Sequence, residues 1–505
     1  MISLSLLLFT FIVGVIGVLT LSFYRQLNIW RVNGKIPHLK PIPILGNTFA
    51  PFFLKKKSIT DWLREAYNSF PNAKYFGMVD FGLPVIFLRD TELIKDVCVK
   101  LFDHFPDHNN IIDEKVDPIW GKNVFALRGD RWREIRNTLS PSFTGSKMKF
   151  MFELVDKCAE NFVNYYLDHP EDGKMVEMKE AFTRYTNDVI ATSAFGISVD
   201  SMKYKDNEFY QRGKDAMNFM GFFRLIKFFF FRFCPSVMLF IREPFLSRGT
   251  NRFFKSLVND TVETRKAKNI IRPDMIHLLI EASKNDKGVE ITIDDIIAQS
   301  FIFFLAGFST SATLMTFVAH ELSVNQDVQE KLREEVDSFT NHEGISYDSL
   351  SKMKYLDMVI SEALRKYPPA GVVDRLCVEK YTFPKPTPDS DEYTIQPNSL
   401  VWLPIFALQN DERYFPNPEK FDPERFSDEN KDKINPYAYI PFGLGPRKCI
   451  GNRFALMEVK LLFVHLLQHF VFETTEKTRH PVVFEKGFNV AADGDFFVKL
   501  RKRTT

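Results

Sequence analysis

Residues 442–451, near the carboxyl end of the chain, are of the types that hold a metal ion through sulfur. They read Phe-Gly-Leu-Gly-Pro-Arg-Lys-Cys-Ile-Gly and lead directly into an apolar helical pattern over residues 452–470. Cys449 falls at the start of that helix, where unpaired N–H groups and the positive end of the helix dipole favour a thiolate over a thiol. Arg447 would project towards the same ligand and suits a carboxylate. The run therefore predicts a thiolate offered to a metal, with a cation beside it for an anionic ligand.

Glycines and spacing add to this prediction. Gly443 and Gly445 lack a Cβ atom, so we expect the backbone to turn tightly there and to lie against a flat ligand. A cysteine after a Gly-Pro loop is more often an ordinary small core residue, and the residue types alone leave that alternative open. The spacing is the stronger signal, because five residues fit the pattern Phe-x-x-Gly-x-Arg-x-Cys-x-Gly. They are Phe442, Gly445, Arg447, Cys449 and Gly451.

This pattern resembles the haem-binding signature of the cytochromes P450, which are haem-thiolate monooxygenases. The resemblance implies that Cys449 is the axial ligand of the iron of haem b, iron protoporphyrin IX, and that Phe442, Arg447 and Gly451 contact the same cofactor. It also implies a mainly α fold with small β-sheets (α+β), the cytochrome P450 fold, behind an amino-terminal transmembrane helix. His465 and His469, four residues apart, are the alternative metal ligands by spacing.

A second candidate site lies in residues 292–324, an apolar stretch without proline that is long enough for a helix to cross a domain. Midway, Ala306 and Gly307 are small enough for a flat ligand to approach, and the Thr310 hydroxyl can bond a carbonyl or a ligand. A well-packed core helix would show the same pattern. By resemblance, the stretch covers the distal haem face, Ala306 and Gly307 contact the haem, and Thr310 helps deliver protons.

Ser309 departs from the family pattern, which has an acid at its position. A hydroxyl holds water but does not relay a proton as a carboxylate does. We therefore expect proton delivery to rely on Thr310 with Ser309 and ordered water, and electrons to be coupled to product more loosely than in an acidic relative. Ser309→Glu should leak less peroxide than the wild type, and equal leakage would remove the idea.

Other motifs of the family recur in order along the chain. Trp132 and Arg136 share one face of a predicted helix, and the resemblance implies that they bind a haem propionate, as does Arg375. An ordinary amphipathic surface helix would also place Trp132 and Arg136 on one face.

Glu362 and Arg365 share a helical face before two prolines, and alone they would be a routine surface ion pair. With Arg425 they resemble the structural triad of the family. That triad would lock the loop that presents Cys449, so its loss should abolish haem incorporation.

The substrate pocket is predicted from resemblance alone. Residues 111–128, polar and rich in turns, would cap it, and residues 370–373 would lie nearby. The predicted pocket residues are Trp120, Phe125, Phe308, Val372 and Val373. A β-hairpin over residues 74–89 is predicted to begin a small sheet.

The amino-terminal segment has the character of a membrane anchor. Residues 2–24 contain no charged side chain, are long enough to span a bilayer, and precede several Lys and Arg residues, which places the rest of the chain in the cytosol. A cleaved signal peptide is the alternative, but it lacks a positive n-region. We predict an anchor over 1–24, a proline-rich hinge over 25–50 and a haem-thiolate catalytic domain over 51–505, on the endoplasmic reticulum membrane and facing the cytosol.

A second apolar block, residues 217–245, mixes phenylalanines with arginine and lysine. Such a mixture suits a monotopic membrane contact through which apolar substrates enter. An ordinary buried helix pair is the alternative.

Composition narrows the class of function further. The 505 residues carry a net charge of +2, which does not favour nucleic acid as a partner. The 52 phenylalanines suit apolar pockets and contact with membrane lipid. Five scattered cysteines without a Cys-x-x-Cys pair argue against a disulfide framework or a zinc site, and indicate a reducing compartment.

The resemblance implies a microsomal monooxygenase that takes electrons from NADPH-cytochrome P450 reductase, with cytochrome b5 as a further partner. The chain has no Gly-rich dinucleotide fingerprint of its own in a strand-to-helix context. Lys448 and the basic cluster Arg128, Arg131 and Arg133 would offer positive charge to an acidic flavin domain. Solvated surface charge is the alternative for that cluster.

Residues 139–148 resemble insect detoxification members of family nine, which implies plant toxins and insecticides as apolar substrates. Hydroxylation of an endogenous hormone or lipid stays open. So do a haem-thiolate isomerase or lyase that needs no reductase, and a non-catalytic binder that sequesters toxins.

Overall fold

The structure is a computed structural model that describes residues 28–30 and 35–504, apart from 43–44, 220, 273, 284–289, 341–344 and 495, with scattered positions between 13 and 24. The predicted anchor over 1–24 lies largely outside the described residues, as does part of the predicted hinge. Among the described residues, one helix, Ile293–Val324, is long and apolar enough to cross a membrane, and most of it is buried in the protein, as in a core helix.

Helices make up most of the structure. They are α1 (Ile59–Asn68), α2 (Thr91–Lys95), α3 (Pro118–Gly121), α4 (Gly129–Leu139), α5 (Gly145–Asp168), α6 (Met178–Ile190), α7 (Glu208–Met217), α8 (Phe222–Phe233), α9 (Pro235–Ile241), α10 (Arg248–Lys268), α11 (Met275–Ala282), α12 (Ile293–Val324), α13 (Gln326–Thr340), α14 (Tyr347–Leu350), α15 (Lys354–Lys366), α16 (Ile405–Gln409) and α17 (Asn452–His469). The strands are β1 (Tyr75–Asp80), β2 (Leu83–Leu88), β3 (Val176–Glu177), β4 (Val373–Leu376), β5 (Tyr381–Phe383), β6 (Tyr393–Ile395), β7 (Leu400–Leu403), β8 (Phe470–Glu473) and β9 (Phe497–Lys502). The predicted mainly α fold with small sheets is confirmed.

The largest sheet among the described residues has the strand order β1-β2-β7-β4. Strands β1 and β2 form the predicted hairpin, with Asp80 opposite Leu83. Phe81 and Gly82 between them both have positive φ, 43° and 81°, as the tight turn of a two-residue hairpin requires. Strand β7 runs parallel to β2 and antiparallel to β4, which brings residues from distant parts of the chain to one edge.

Helix α12 is the central element of the helical part, and its predicted bounds are confirmed. Thr292 and Asp295 form a capping box at its start, where two otherwise unpaired backbone N–H groups are satisfied. Buried side chains occur around much of its circumference, because other helices surround it. Helix α12 therefore holds Thr310 in a rigid frame.

Two hydrophobic cores meet at the candidate site. One lies among the long helices, including α5, α6, α12 and α17, and half-buried Phe442 and Ile450 pack against it. The other surrounds the four-stranded sheet and includes Ile440, with Leu444 packed against it. The loop 442–451 therefore lies where the two cores join, which fixes it from both sides.

Candidate active site

The loop 442–451 is cross-linked by its own backbone. The Cys449 N–H donates to the Phe442 carbonyl at 2.8 Å, and the Lys448 N–H donates to the Gly445 carbonyl at 3.0 Å. Gly443 and Gly445 both have positive φ, 74° and 73°, which a residue with a side chain rarely adopts. These tight turns present the sulfur of Cys449 just before α17 begins.

Gly445 is required for a reason that differs from the prediction. A Cβ atom at this position would lie 1.9 Å from the carbonyl oxygen of Cys98. The close approach that needs the glycine is therefore between two segments of the protein. This contact accounts for Gly445 without a ligand, and the expectation that the loop lies against a flat ligand stays a prediction.

The electrostatics of Cys449 also differ from the expectation based on the helix dipole. Removal from water raises the pKa of its thiol, while the Gly451 N–H and the charge of Arg136 act in the opposite direction. The Cys449 side chain is nevertheless exposed at the edge of the loop. A bound metal ion would favour the thiolate form of Cys449, because coordination deprotonates a thiol.

The face of α12 that carries Thr310 has the form expected for contact with a flat group. Ala306 and Thr310 are exposed although α12 is a core helix, and they share a face because they are four residues apart. The Thr310 hydroxyl donates to the Ala306 carbonyl at 2.6 Å. Ser309 is half-buried beside them. The small exposed side chains of Ala306 and Thr310 and the exposed thiol of Cys449 would suit contact with haem.

Phe308 does not share that face, and Gly307 lies at its border, three residues before Thr310. A Cβ atom on Gly307 would lie 2.4 Å from Ile190 Cδ1, so the glycine lets α6 approach α12. Phe308 is buried, with its ring centroid 5.1 Å from that of Phe304 and 5.9 Å from that of Tyr210. The helical period turns position 308 about 200° from positions 306 and 310. Gly307 is half-exposed, so its contact with haem stays a prediction, whereas Phe308 packs in the core and away from the exposed face of α12.

Trp132 and Arg136 both reach the cysteine loop from α4. Arg136 Nη2 donates to the Lys448 carbonyl at 2.7 Å. The Arg447 guanidinium lies 4.0 Å from the centroid of the Trp132 ring, which is a cation–π contact. The structure thus brings together residues that are more than three hundred positions apart in the sequence.

Arg447 already has a carboxylate partner within the chain. Its Nη2 atom lies 2.9 Å from Asp107 Oδ1, and it also donates to the carbonyls of Pro106, Val124 and Leu127. Burial lowers the pKa of Arg447 to about 9, against the opposing effect of Asp107. Sequence reasoning missed Asp107, because a lone acid in a loop carries no recognisable signal.

Arg375 offers the clearest free donor for an anionic ligand. It is buried in β4, where Nη1 donates to the Asp374 carbonyl at 2.7 Å and Nη2 to the Leu444 carbonyl at 3.3 Å. Its Nε has no hydrogen-bond partner among the residues that the structure describes. A buried orphan donor beside the cysteine loop fits a carboxylate such as a haem propionate.

Glu362, Arg365 and Arg425 meet as a buried cluster. Arg365 Nε and Nη2 donate to the two carboxylate oxygens of Glu362, each at 2.8 Å, and Arg425 Nε donates to Oε1 at 3.3 Å. Glu362 and Arg365 are both fully buried, so they are not a routine surface pair. The cluster joins α15 to the segment that holds Arg425.

Two further contacts hold the start of the cysteine loop, and sequence reasoning missed both. The Gln409 side chain accepts from the Ile440 N–H at 3.0 Å, and the Tyr439 hydroxyl donates to the Ser361 carbonyl at 3.1 Å. Gln409 is fully buried in α16. No motif marks these positions, since each bond joins elements that are distant in sequence.

The other residues predicted to line the pocket differ in how far they are exposed. Trp120 is half-buried, with its ring centroid 5.2 Å from that of Phe245. Phe125 is half-exposed and stacks on His108 at 4.5 Å between centroids. Val372 and Val373 are half-buried at the start of β4.

Histidine is not the metal ligand that the structure favours. His465 Nε2 lies 2.7 Å from Asp156 Oδ1 and is engaged there. Within the described ranges, no group of three His, Cys, Asp or Glu side chains could hold a metal ion. Cys449, in its loop flanked by arginines, stays the predicted ligand.

A mainly helical fold around such a loop defines the class of haem-thiolate proteins. The profile of the cytochrome P450 family matches residues 36–496. Over 501 residues the chain is 47% identical to cytochrome P450 9e2 of Blattella germanica, with 93% of each chain covered. It is 40% identical over 489 residues to probable cytochrome P450 9f2 of Drosophila melanogaster, covering 93% of this chain and 94% of that one.

The chain therefore belongs to the cytochrome P450 family and is a monooxygenase. The names of both relatives confirm the predicted likeness to insect members of family nine. Membership of the family implies a haem held by a cysteine thiolate and a supply of electrons from a redox partner.

Proposed function

We propose that the protein is a microsomal monooxygenase that inserts one atom of O2 into apolar xenobiotics such as plant toxins or insecticides. Haem b supplies the oxygen chemistry when bound, and NADPH-cytochrome P450 reductase supplies the electrons, with cytochrome b5 as a further donor. The observation that carries the proposal is the exposed thiol of Cys449 in a loop enclosed by two hydrophobic cores. Apolar side chains at Trp120, Val372 and Val373 support an apolar substrate.

The arginines around the loop would bind and orient the cofactor. Arg375 would give its free Nε to a propionate, with Arg136 and Trp132 on the neighbouring helix. Arg447, held by Asp107, would keep a positive charge beside these groups. Phe442 and Gly451 would line the approach to Cys449.

Residues on α12 would hold protons and water on the side of the site opposite the cysteine loop. The Thr310 hydroxyl donates a hydrogen bond to the Ala306 carbonyl at 2.6 Å, and this bond would orient the hydroxyl proton at Oγ1. Ser309 would hold water beside it, because a serine hydroxyl can donate and accept but does not supply an acidic proton.

Helices α8 and α9 support a membrane contact rather than a buried helix pair. Phe223 and Phe240 are 77% and 87% exposed, whereas Arg224 is buried and donates to the Ala216 carbonyl at 2.8 Å. Aromatic side chains outside and a cation inside reverse the usual pattern of a soluble surface helix. We propose that this face enters the endoplasmic reticulum membrane. Residues 1–24 would anchor the chain in that membrane, residues 25–50 would form the hinge, and the catalytic domain, residues 51–505, would face the cytosol.

The reductase would bind beside the cysteine loop. Lys448 is exposed there and offers positive charge to an acidic flavin domain. Two arginines of the predicted basic cluster contribute less positive charge to this surface than the sequence indicates. Arg131 pairs with Asp295 at 3.1 Å, and Arg133 pairs with Asp103 at 2.7 Å. Mutation of Lys448 should therefore slow electron transfer more than mutation of Arg133.

The absorption spectrum of the reduced protein with carbon monoxide tests the proposed ligand. Wild type should show the strongly red-shifted Soret band of thiolate ligation, and Cys449→His should lose it. Cys234→Ser is the matched control, since Cys234 is also an exposed free cysteine. An imidazole-type spectrum in wild type would contradict the assignment. Turnover of apolar toxins with reductase and NADPH then tests the substrate class.

A further inference from the structure

Asp117 is a buried acid that joins two segments far apart in the sequence. It is fully buried and comes directly before α3, the short helix that carries Trp120. One carboxylate oxygen, Oδ2, accepts from the N–H groups of Phe245 at 3.0 Å and Leu246 at 3.4 Å, just before α10. The other, Oδ1, accepts from the Trp120 N–H at 3.3 Å and from Asn251 Nδ2 at 3.4 Å. Asp117 therefore fastens the segment around Trp120 to the start of α10.

A second buried side chain holds the other end of this segment. Gln299 on α12 is fully buried, and its Nε2 donates to the Lys122 carbonyl at 2.7 Å. Its side-chain oxygen accepts from the Val124 N–H at 2.8 Å. Between these two ends, the Asn123 side chain donates to the Trp120 carbonyl at 2.6 Å. The backbone that carries Trp120 is thus fixed to α10 at one end and to α12 at the other.

The Trp120 ring lies between these two anchors. Its centroid is 5.2 Å from that of Phe245, near α10, and 6.4 Å from that of Phe301 on α12. The side chain is only half-buried, so these neighbours leave part of the ring uncovered. Ala306, on the exposed face of α12, follows Phe301 by about 7.5 Å along the helix axis. The ring is therefore held close to the part of α12 that faces the candidate active site.

A carboxylate suits this fastening because both of its oxygens accept hydrogen bonds and neither donates. The four N–H groups around Asp117 are divided between the two oxygens. An asparagine would have one accepting oxygen and one NH2 group, so in either orientation its NH2 group would face N–H donors. A buried N–H group without an acceptor is costly. An amide at position 117 should therefore release one of the two joined segments.

We propose that Asp117 is a positioning residue that sets the affinity of the site for bulky apolar ligands, because it holds the Trp120 ring in place beside α12. The inference rests on the proposed pocket, in which Trp120 contacts apolar substrates. With the ring fixed beforehand, a bulky ligand gains this contact without having to order the segment. When Asp117 is replaced, the segment must be ordered as the ligand binds, and the ligand binds more weakly.

Hydrogen exchange of the haem-loaded protein tests the fastening without any added ligand. Asp117→Asn should speed exchange of the Trp120, Phe245 and Leu246 N–H groups several-fold, because the bonds that protect them are weakened. Asp113→Asn is the matched control, since Asp113 is an exposed acid of the same segment, and exchange there should stay as in wild type. Unchanged exchange in Asp117→Asn overturns the fastening.

Spectral titration with azoles of different size tests the effect on binding. Imidazole is small and clotrimazole is bulky, and both bind haem iron through a nitrogen atom, so the test needs no known substrate. Asp117→Asn should raise the Kd of clotrimazole roughly five- to tenfold and leave that of imidazole as in wild type. Gln299→Glu, which cannot donate to the Lys122 carbonyl at the other end of the segment, should have the same effect.

A double variant shows whether Asp117 acts through Trp120. Trp120→Ala should itself raise the Kd of clotrimazole. Adding Asp117→Asn should then cause no further rise, because the ring that Asp117 positions is absent. A merely structural role of Asp117 predicts instead that the two effects add. An unchanged Kd in either single variant, or additive effects in the double variant, overturns the inference.

The reduced carbon monoxide spectrum separates this inference from the proposed function. Asp117→Asn, Gln299→Glu and Trp120→Ala should all keep the thiolate-type spectrum of wild type. If Asp117→Asn does not retain haem, Gln299→Glu and Trp120→Ala carry the same titrations, alone and combined. A wild type without the thiolate-type spectrum contradicts the proposed function, whereas the exchange experiment still decides whether Asp117 fastens the segment.

Discussion

Glu362 and Glu458 are both fully buried glutamates, and they differ in what surrounds their carboxyl groups. Glu362 on α15 accepts two hydrogen bonds from Arg365 and one from Arg425. Glu458 on α17 has no such partner within the described part of the chain. A buried charge is tolerated only when it is paired. The comparison teaches that one residue type, equally buried, serves as an ion in a structural lock or as a neutral acid, according to its partners.

Removing the partner of Glu362 should have the largest effect. The Glu362 carboxylate accepts four hydrogen bonds from the described residues, two from Arg365, one from Arg425 and one from the Asp422 N–H. Arg365→Ala removes two of them from a buried charge, which costs about 3–5 kcal/mol. We expect a large fall in unfolding temperature and loss of haem incorporation, measured by thermal unfolding and by the reduced carbon monoxide spectrum. Normal haem content in a stable Arg365→Ala protein would contradict the lock.

Glu458→Gln should change the pH dependence of stability. The pKa of Glu458 rises from its ordinary value of 4.5 to about 8 on folding. Its protonated form is therefore favoured in the folded state, and wild type loses stability as the pH rises between these two values. The loss should be roughly 2–4 kcal/mol by pH 8.

Glutamine cannot ionise, so the variant should lack this loss and exceed wild type in stability above about pH 8. Unfolding temperatures measured across this pH range check the prediction. Parallel curves for the two proteins would show that Glu458 is already ionised when folded.

Asp107→Asn should have a smaller effect than Arg365→Ala. Arg447 would lose its ion pair but keep the three backbone carbonyls that accept its hydrogen bonds. We expect a loss of about 1–3 kcal/mol and weaker haem retention. Haem release to an apo-globin acceptor measures the second effect, and a release rate equal to that of wild type would exclude a role for Asp107 at the site.

Arg64→Ala should have the smallest effect. Arg64 pairs with Glu419 at 3.1 Å on the surface, where the two side chains are 44% and 72% exposed. An exposed pair contributes about 0–1 kcal/mol. Unfolding temperature and haem content should match those of wild type. Arg64→Ala is therefore the control for Arg365→Ala, Glu458→Gln and Asp107→Asn, which all change buried groups.

The local parts of the fold and site were predictable. The β1–β2 hairpin and helix α12 were predicted with nearly their observed bounds, because turn residues, helix caps and hydrophobic period act between neighbours in sequence. Fixed spacing around Cys449 was sufficient to indicate the haem-thiolate class. The environment of Phe308 was not predictable in this way, because its burial among aromatic rings depends on packing between helices.

The sequence by itself determined the loop that presents Cys449, the helix that carries Thr310 and the class of chemistry, because each depends on residues a few positions apart. Only the tertiary structure decided which charged groups are buried and which partners they pair with. Asp107 reaches Arg447 across most of the chain, Glu362 gains Arg425, and Glu458 gains no counterion. The physical reason is that burial and pairing depend on packing between distant segments, and these two conditions set whether a carboxyl group is an ion or an acid.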